Sequence, residues 1–341
     1  MRTIDNLVEQ YMANGTFPCG EVLLARGSDI LMHKAYGFME GSDIALLKKG
    51  ALFDLASLTK PLATAQLLVK LVREGKLDLD DLVRAHLPEL MAARQHEMTI
   101  RQLALHQAGF PPDSPFAKKA ESAEQAWREI HNIKLQYQPG TDVVYSCLGY
   151  LLLGQIIERV TRFPLDEAFD EMIAKPLGLK HTLFAPLSVA RQLPTIVPTV
   201  PAIRPAGYIR GMVNDSTARV LGGKVGNAGL FSSAPELHKM ALNLLENADP
   251  LIFENGNPNG LTPRTIGFEY NDQNQLGCSC GEHFAHGAVG HTGFTGTSLW
   301  IDPSSGLIVI ALTNRVYLSY RDTIDSMRQF RAKLHTIAQK I

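Results

Sequence analysis

Apolar positions follow two different periods along the chain, and the period depends on the region. Near both ends they alternate or run continuously over short stretches, which is typical of β-strands. These stretches are residues 21–26, 30–37, 293–302 and 307–312. Turn residues at 27–29 and 302–306 separate the members of each pair. The sequence therefore predicts two β-hairpins, with 293–302 as an edge strand and 307–312 as a buried strand.

The middle of the chain shows helical spacing instead. Apolar residues three and four apart predict helices within 62–72, 122–133, 148–160, 165–174 and 235–245. Amphipathic helices are also predicted at both ends, in residues 1–10 and 320–340. Prolines and glycines interrupt residues 187–231, and a long irregular run in a compact protein usually serves a site.

This arrangement predicts an α/β fold, with an antiparallel sheet formed by both chain ends, flanked by helices, and an inserted, mainly helical domain. The sheet domain would be discontinuous, from residues 1–60 and 250–341. The helical domain would span 61–249 and would carry the site-lining loop at 187–231.

Composition narrows the possible partners and compartments. Lys and Arg number 33 against 34 Asp and Glu, so the net charge of −1 gives no reason to expect nucleic acid or an anionic membrane. The longest strongly apolar uncharged run, 143–157, is shorter than the roughly 20 residues of a membrane span. Without an apolar leader at the N-terminus, the four cysteines are expected to be free thiols of a cytoplasmic protein. The oligomeric state is left open.

The first candidate chemistry lies at the start of the predicted helix 62–72. Ser57 and Lys60 are three residues apart, and Pro61 fits the first turn of a helix. Side chains at that spacing share a helix face, so the hydroxyl and the amine are expected to meet. An enclosed lysine can lose its charge and accept the serine's proton. The alternative is that Ser57 is an ordinary N-cap and Lys60 a solvated side chain.

Three further polar segments lie in apolar surroundings. Tyr145 precedes the predicted buried helix at 148–160. A glycine-rich segment, 290–297, contains His291, and another segment, 226–233, ends the long loop. Tyrosine is usually a packing residue, but it can transfer a proton where neighbouring cations lower its pKa.

In this order, Ser57-x-x-Lys60, Tyr145-Ser146-Cys147 and His291-Thr292-Gly293 resemble the signatures of the penicillin-recognising serine hydrolases. Those signatures are Ser-x-x-Lys, Tyr-x-Asn and Lys/His-Thr-Gly, and the branch that looks most similar is the class C β-lactamase-related proteins. The resemblance extends over about residues 21–315 and implies the β-lactamase/DD-peptidase-like fold.

The resemblance also implies a mechanism through an acyl-enzyme, with a small-molecule or short-peptide substrate and neither a cofactor nor a metal. Ser57 would attack an ester, a D-amino-acid amide or peptide, or a β-lactam. Lys60 and Tyr145 would move the proton, and His291 would lie beside them. The oxyanion hole would consist of the backbone N–H groups of Ser57 and Phe294. The substrate's amide would pair with a strand edge at 292–295, which includes Thr292 and Gly293.

Two positions depart from the family pattern. Cys147 stands where Asn is common, and a thiol replaces an amide poorly as a hydrogen-bonding group. His291 stands where the family commonly has a permanently charged Lys. Because histidine titrates near neutrality, it would bind a substrate carboxylate more weakly and in a pH-dependent way. Both changes favour simple esters or D-amino-acid amides over β-lactams. The competing hypothesis is a catalytically weakened binding or scaffold protein that recognises D-alanyl or peptidoglycan-type ligands.

Other chemistry-bearing residues are interpreted as structural. Cys278, Cys280, His283 and His286 lie close together, but Cys-x-Cys is tighter than the usual spacing of paired zinc ligands, so no metal site is predicted. His106 is interpreted as a hydrogen-bonded loop histidine rather than a base.

Overall fold

A six-stranded antiparallel sheet forms the centre of the fold. The computed structural model describes residues 2–39, 46–90, 97–114, 119–193, 195–201, 208–258, 260–273, 278–281, 283–317 and 323–341. The strands of the sheet are β1 (Cys19–Arg26), β2 (Asp29–Gly37), β8 (Glu269–Tyr270), β9 (Val289–Thr292), β10 (Ser298–Asp302) and β11 (Leu307–Thr313). Their order across the sheet is β2-β1-β11-β10-β9-β8. The N-terminal β1 pairs with the C-terminal β11, which confirms that both chain ends build one antiparallel sheet.

The shorter strands form two smaller sheets. They are β3 (Phe53–Asp54), β4 (Leu183–Phe184), β5 (Val200–Pro201), β6 (Tyr208–Ile209) and β7 (Leu230–Ser232). β3 and β4 both pair with β7, so a three-stranded sheet connects the start of the Ser57 segment to the end of the long loop.

Helices cover both faces of the main sheet. They are α1 (Arg2–Ala13), α2 (Ala65–Arg73), α3 (Val83–His86), α4 (Ile100–Ala104), α5 (Ala123–His131), α6 (Cys147–Thr161), α7 (Leu165–Phe169), α8 (Ser216–Val220), α9 (Ala234–Asn247), α10 (Pro250–Phe253) and α11 (Ile324–Ala338). Each helix predicted from apolar spacing is present within a few residues. For helix 320–340, the predicted start lies among residues 318–322, outside the described residues.

Alternation along the central strands divides the apolar core into two layers. On one face, Val22, Trp300 and Val309 pack with the apolar sides of α1 and α11. On the other face, Leu23 and Ile310 join the larger core that the remaining helices share. Both faces of β10 and β11 are buried, which explains why 307–312 is an uninterrupted apolar run.

The prediction of one edge strand over 293–302 is wrong. The chain instead reverses at 293–297, between β9 and β10, and β10 lies inside the sheet. Gly296 makes the reversal possible, because its φ of 111° is a conformation that residues with a Cβ rarely adopt. Glycine and threonine in this turn imitate strand alternation in the sequence.

The loop at 187–231 is only partly irregular. It contains a 3₁₀ segment at Pro186–Gln192, the β5–β6 pair and α8, while residues 194 and 202–207 lie outside the described residues. No helix in the described part of the chain is both long and apolar enough to cross a bilayer. The proposed domain boundaries stay a prediction.

Candidate active site

Ser57 and Lys60 meet, but the local structure is not a regular α-helix. Ser57 lies in a 3₁₀ turn, Ala56–Leu58, and Lys60 begins a π-helical turn, Lys60–Thr64, that precedes α2. Side chains three residues apart nearly eclipse each other in a 3₁₀ turn, which brings these two together. Lys60 Nζ donates to Ser57 Oγ at 3.0 Å.

The Lys60 ammonium group is completely buried among polar partners. Besides Ser57, it donates to the carbonyl of Asn227 at 3.0 Å and to Cys147 Sγ at 3.6 Å. Burial is the largest effect and acts to lower the pKa of Lys60, but Cys147, Tyr145 and Asp215 all act in the opposite direction, and the pKa is raised to about 12. The lysine is therefore an ammonium ion in the resting protein, contrary to the expectation that enclosure would neutralise it.

Tyr145 lies above Lys60 at the entrance to α6. Its loop is fixed by Ser146, whose N–H donates to His106 Nδ1 at 3.1 Å and whose Oγ caps α6 by accepting from Leu148 N. This makes His106 a hydrogen-bonded loop residue. The Tyr145 ring centroid is 5.1 Å from Lys60 Nζ, and its buried hydroxyl lies near Lys60 and Ser57 without an ideally oriented hydrogen bond to either. Burial raises the pKa of Tyr145, and the positive charge of Lys60 opposes that rise.

His291 lies on β9 with its ring centroid 5.7 Å from that of Tyr145. Its Nδ1–H donates to the carbonyl of Thr292 at 2.8 Å, which leaves Nε2 as a buried acceptor with no partner in the described structure. Burial, and then the charges of Lys60 and Arg264, push the pKa of His291 well below its usual value of 6.5. The imidazole is thus neutral, and the expected titration near neutrality is wrong.

The turn after β9 carries Gly293 and Phe294 beside the Ser57 segment. A Cβ on Gly293 would lie 2.5 Å from the Leu55 carbonyl oxygen, so only glycine allows this close approach. The Arg331 guanidinium donates to the carbonyls of Gly293 and Thr297 at 3.0 and 2.9 Å. Because the turn begins at 293, the strand edge expected to bind the substrate's amide ends at Thr292.

One open cleft of about 650 Å³ joins these residues. Of the predicted site residues, Ser57, Tyr145, Cys147, His291, Thr292, Gly293 and Phe294 line it, and Lys60 lies beneath Ser57. Its charged lining consists of Arg219, Arg264, Arg315, Arg328, Arg331, Asp113, Asp215 and Glu269. The cationic side chains outnumber the carboxylates, although the whole chain is nearly neutral.

The cysteine–histidine segment does not converge on a metal position. Cys278 Sγ and Cys280 Sγ are 3.3 Å apart, whereas His286 faces Asp272, with 3.8 Å between the nitrogen and the carboxylate oxygen. Within the residues that the structure describes, no group of three His, Cys, Asp or Glu side chains is arranged to hold a metal ion.

Comparison with known proteins agrees with this geometry. A family model described as Beta-lactamase matches residues 4–332. The chain belongs to the β-lactamase family. A relative named N-acetylmuramyl-L-alanine amidase, from Bacillus subtilis (strain 168), is 31% identical, and the match covers 97% of this chain and 84% of that protein.

Solved structures confirm the β-lactamase fold. EstCE1, described as a hydrolase with promiscuous acyltransferase activity, has a TM-score of 0.75 at 21% identity, covering 97% of this chain and 98% of that one. A β-lactamase/D-alanine carboxypeptidase from Pseudomonas syringae has a TM-score of 0.74 at 17% identity, covering 98% and 97% of the two chains.

The sequence does not predict the roles of three groups at the site of this β-lactamase-family protein. Arg264 lies over the Tyr145 ring, 5.5 Å from its centroid, without any motif to mark it. Asn227 lies in a segment that stood out in the sequence, but its backbone carbonyl contacts Lys60, which no side-chain pattern reveals. Asp54 precedes the Ser-x-x-Lys motif and accepts a hydrogen bond from the N–H of Ala56, the residue before Ser57.

Proposed function

We propose that the protein is a serine hydrolase that forms an acyl-enzyme at Ser57. The observation that carries this proposal is the contact of 3.0 Å between Lys60 Nζ and Ser57 Oγ, in an open cleft that Tyr145 and His291 also line. Family membership supports a hydrolase of the β-lactamase, DD-peptidase and esterase type. The substrates we infer are small esters, D-amino-acid amides or peptides, and β-lactams.

The protonation states of the site favour Tyr145 as the group that receives the serine's proton. Lys60 is already an ammonium ion, and its charge stabilises a Tyr145 phenolate. The reactive form is therefore the Lys60–Tyr145 pair after loss of one proton. In that form Ser57 Oγ bonds to the substrate carbonyl carbon while its proton passes to Tyr145.

The rest of the cycle follows from the same groups. The N–H groups of Ser57 and Phe294 stabilise the oxyanion, and removal of one such donor typically slows acylation by about 10²–10³-fold. The bond to the leaving amine or alcohol then breaks, and Tyr145 returns the proton to that group. Water hydrolyses the resulting Ser57 ester, which restores the free serine and releases the carboxylic acid.

The charges that line the cleft support a substrate that carries a negative group. Arg219 donates to the carbonyls of Val213 and Asn214, and Arg331 donates to backbone carbonyls of the 293–297 turn. The Arg264 guanidinium, by contrast, donates no hydrogen bond to any side chain or carbonyl that the structure describes, and its Nε is buried. A buried donor without a partner is unfavourable. We infer that Arg264 pairs with a carboxylate of the substrate, in place of the charge that neutral His291 lacks.

A substrate panel with a labelling experiment tests the proposal. Wild type, Ser57→Ala and Ser28→Ala are incubated with D-alanyl peptides, p-nitrophenyl esters and nitrocefin, and separately with a fluorophosphonate probe. Ser28 is an exposed serine in the turn between β1 and β2 and serves as the matched control. We expect turnover and a mass adduct on Ser57 in wild type and Ser28→Ala only. If the wild type stays unlabelled while a known family member reacts, the hydrolase proposal is wrong.

Cys147 favours one second candidate, a binding protein with weakened turnover. Its thiol contacts Lys60 at 3.6 Å, in the position where the family commonly has the amide of Asn. A protein of this kind would bind a D-alanyl peptide without cleaving it. Calorimetry beside the turnover assay separates the two functions, because heat of binding with no product formed favours the second candidate.

A further inference from the structure

The residue that precedes the proposed nucleophile has an unusual backbone conformation. Ala56 has φ of 47°, in the left-handed region that residues with a Cβ rarely adopt. Such conformations persist only where the surroundings impose them, and they cluster at functional sites. The contacts that impose this conformation therefore also fix the position of Ser57.

The Asp54 carboxylate supplies the central contact. Its Oδ1 accepts the N–H of Ala56 at 2.9 Å, and its Oδ2 accepts the N–H of Asn214 at 2.7 Å. The side chain is only 1% exposed. One carboxylate thus joins the Ser57 turn to the wall of the cleft formed by residues 214–216.

The backbone beside Asp54 makes the third connection. The carbonyl of Asp54 accepts from Thr295 Oγ1 at 2.7 Å, and the carbonyl of Leu55 accepts from Thr297 Oγ1 at 3.0 Å. These threonines belong to the 293–297 turn, which carries the proposed oxyanion donor Phe294. Residues 54 and 55 therefore hold three separate parts of the cleft in one arrangement.

Two charged side chains affect the pKa of Asp54: Asp215 at the N-cap of α8 and Arg219 within α8. Asp215 raises the pKa of Asp54 and Arg219 lowers it, while Arg219 itself donates to nearby backbone carbonyls. Burial is the largest effect, and despite the hydrogen bonds from Asn214 and Ala56 it raises the pKa of Asp54 to about 6. The carboxylate is ionised at neutral pH and becomes protonated in mild acid.

We propose that ionised Asp54 is the positioning residue of this site, which holds Ala56 in its left-handed conformation and thereby keeps Ser57 against Lys60. A carboxylate offers good acceptor oxygens to both N–H groups, whereas a protonated carboxyl turns one oxygen into a donor. Protonation therefore releases either the Ser57 turn or the wall at Asn214. The inference rests on the proposed function, because its effect is measured at Ser57.

The three titratable side chains around Ser57, those of Lys60, Tyr145 and His291, do not titrate near pH 6. The pKa of Lys60 is about 12, that of Tyr145 is raised, and that of His291 is well below 6.5. Acylation that needs one deprotonation of the Lys60–Tyr145 pair rises tenfold per pH unit across the neutral range. A second ionisation at Asp54 adds a further tenfold per pH unit below about pH 6.

The test is the rate at which an uncharged fluorophosphonate labels Ser57 between pH 5 and pH 8. In wild type we expect the logarithm of the rate to rise with a slope of 1 above about pH 6 and of 2 below it. Asp54→Asn should give a slope of 1 throughout and, at pH 8, a rate about 10²-fold lower, as for a displacement of about 1 Å. Asp80→Asn, an exposed aspartate bound to Arg101, is the control and should match wild type.

The outcomes separate this inference from the proposed function. A wild-type slope of 1 down to pH 5, or an Asp54→Asn rate equal to wild type at pH 8, overturns the role of Asp54 while leaving the nucleophile intact. Wild type that is never labelled overturns both. Thermal unfolding of each variant at both pH values establishes that it is folded, and if Asp54→Asn does not fold, the wild-type slope decides.

Discussion

The Asp54→Asn substitution should change how the stability of the protein depends on pH. Folding raises the pKa of Asp54 from 3.8 to about 6, mainly through burial. A carboxyl whose pKa is raised stabilises the fold most when it is protonated. This contribution is complete below about pH 3.8 and is lost as the pH rises through 6. Asparagine cannot ionise, so the variant lacks this loss.

The size of the effect follows from the two pKa values. Ionising Asp54 in the folded protein at pH 8 lowers the free energy of unfolding by about 3 kcal/mol, since each unit of pKa corresponds to about 1.4 kcal/mol. At pH 5 the loss is about 1.6 kcal/mol by the same relation. The free energy of unfolding of Asp54→Asn, relative to that of wild type, should therefore be about 1.4 kcal/mol higher at pH 8 than at pH 5. The amide also loses an acceptor, but that penalty is the same at both pH values.

Urea unfolding of wild type and Asp54→Asn at pH 5 and pH 8 measures this change. Asp80→Asn is the matched control: its hydrogen bond from Arg101 lowers the pKa of Asp80, which is ionised at both pH values, so its difference from wild type should stay constant. If the difference in free energy of unfolding between Asp54→Asn and wild type is also the same at both pH values, folding does not raise the pKa of Asp54 toward 6. A stability gain together with slower labelling of Ser57 would mean that the charge serves the site and not the fold.

Three further substitutions test individual contacts. Cys147→Asn should raise nitrocefin hydrolysis about tenfold by restoring an amide hydrogen bond, and no gain would mean that the thiol does not limit turnover. Arg264→Leu should raise KM about 10–100-fold for a carboxylate-bearing ester but not for its neutral methyl ester, and equal effects on both would contradict the ion pair. Gly293→Ala should slow labelling of Ser57 about 10²-fold because its Cβ meets the Leu55 carbonyl, whereas an unchanged rate would show that the turn adapts.

The part of the site that local rules govern could be predicted from the sequence. The spacing of Ser57 and Lys60 predicts their contact, although the connecting backbone uses 3₁₀ and π turns rather than an α-helix. Strand alternation near both chain ends predicts the shared sheet. The turn at 293–297 was missed, because glycines and threonines satisfy the period of a strand while Gly296 reverses the chain.

The electrostatic state of the site could not be predicted, because it depends on residues far apart in the chain. His291 is neutral because it is buried beside Lys60 and Arg264, which lie on other segments. Asp54 lies just before the Ser-x-x-Lys motif in the sequence, but its carboxylate accepts its second hydrogen bond from Asn214, 160 positions away. The residues next to His291 and Asp54 in the sequence do not indicate these distant contacts.

Burial and the positive charge of the cleft act together on the protonation states of the site. Burial first, and then the charges of Lys60 and Arg264, disfavour a proton on His291, while the charge of Lys60 lowers the energy of a Tyr145 phenolate against the opposing effect of burial. A lysine in place of His291 would add another charge to a region that already contains Lys60. The neutral imidazole avoids that repulsion, so the replacement of Lys by His is compatible with anion binding, provided that Arg264 supplies the charge.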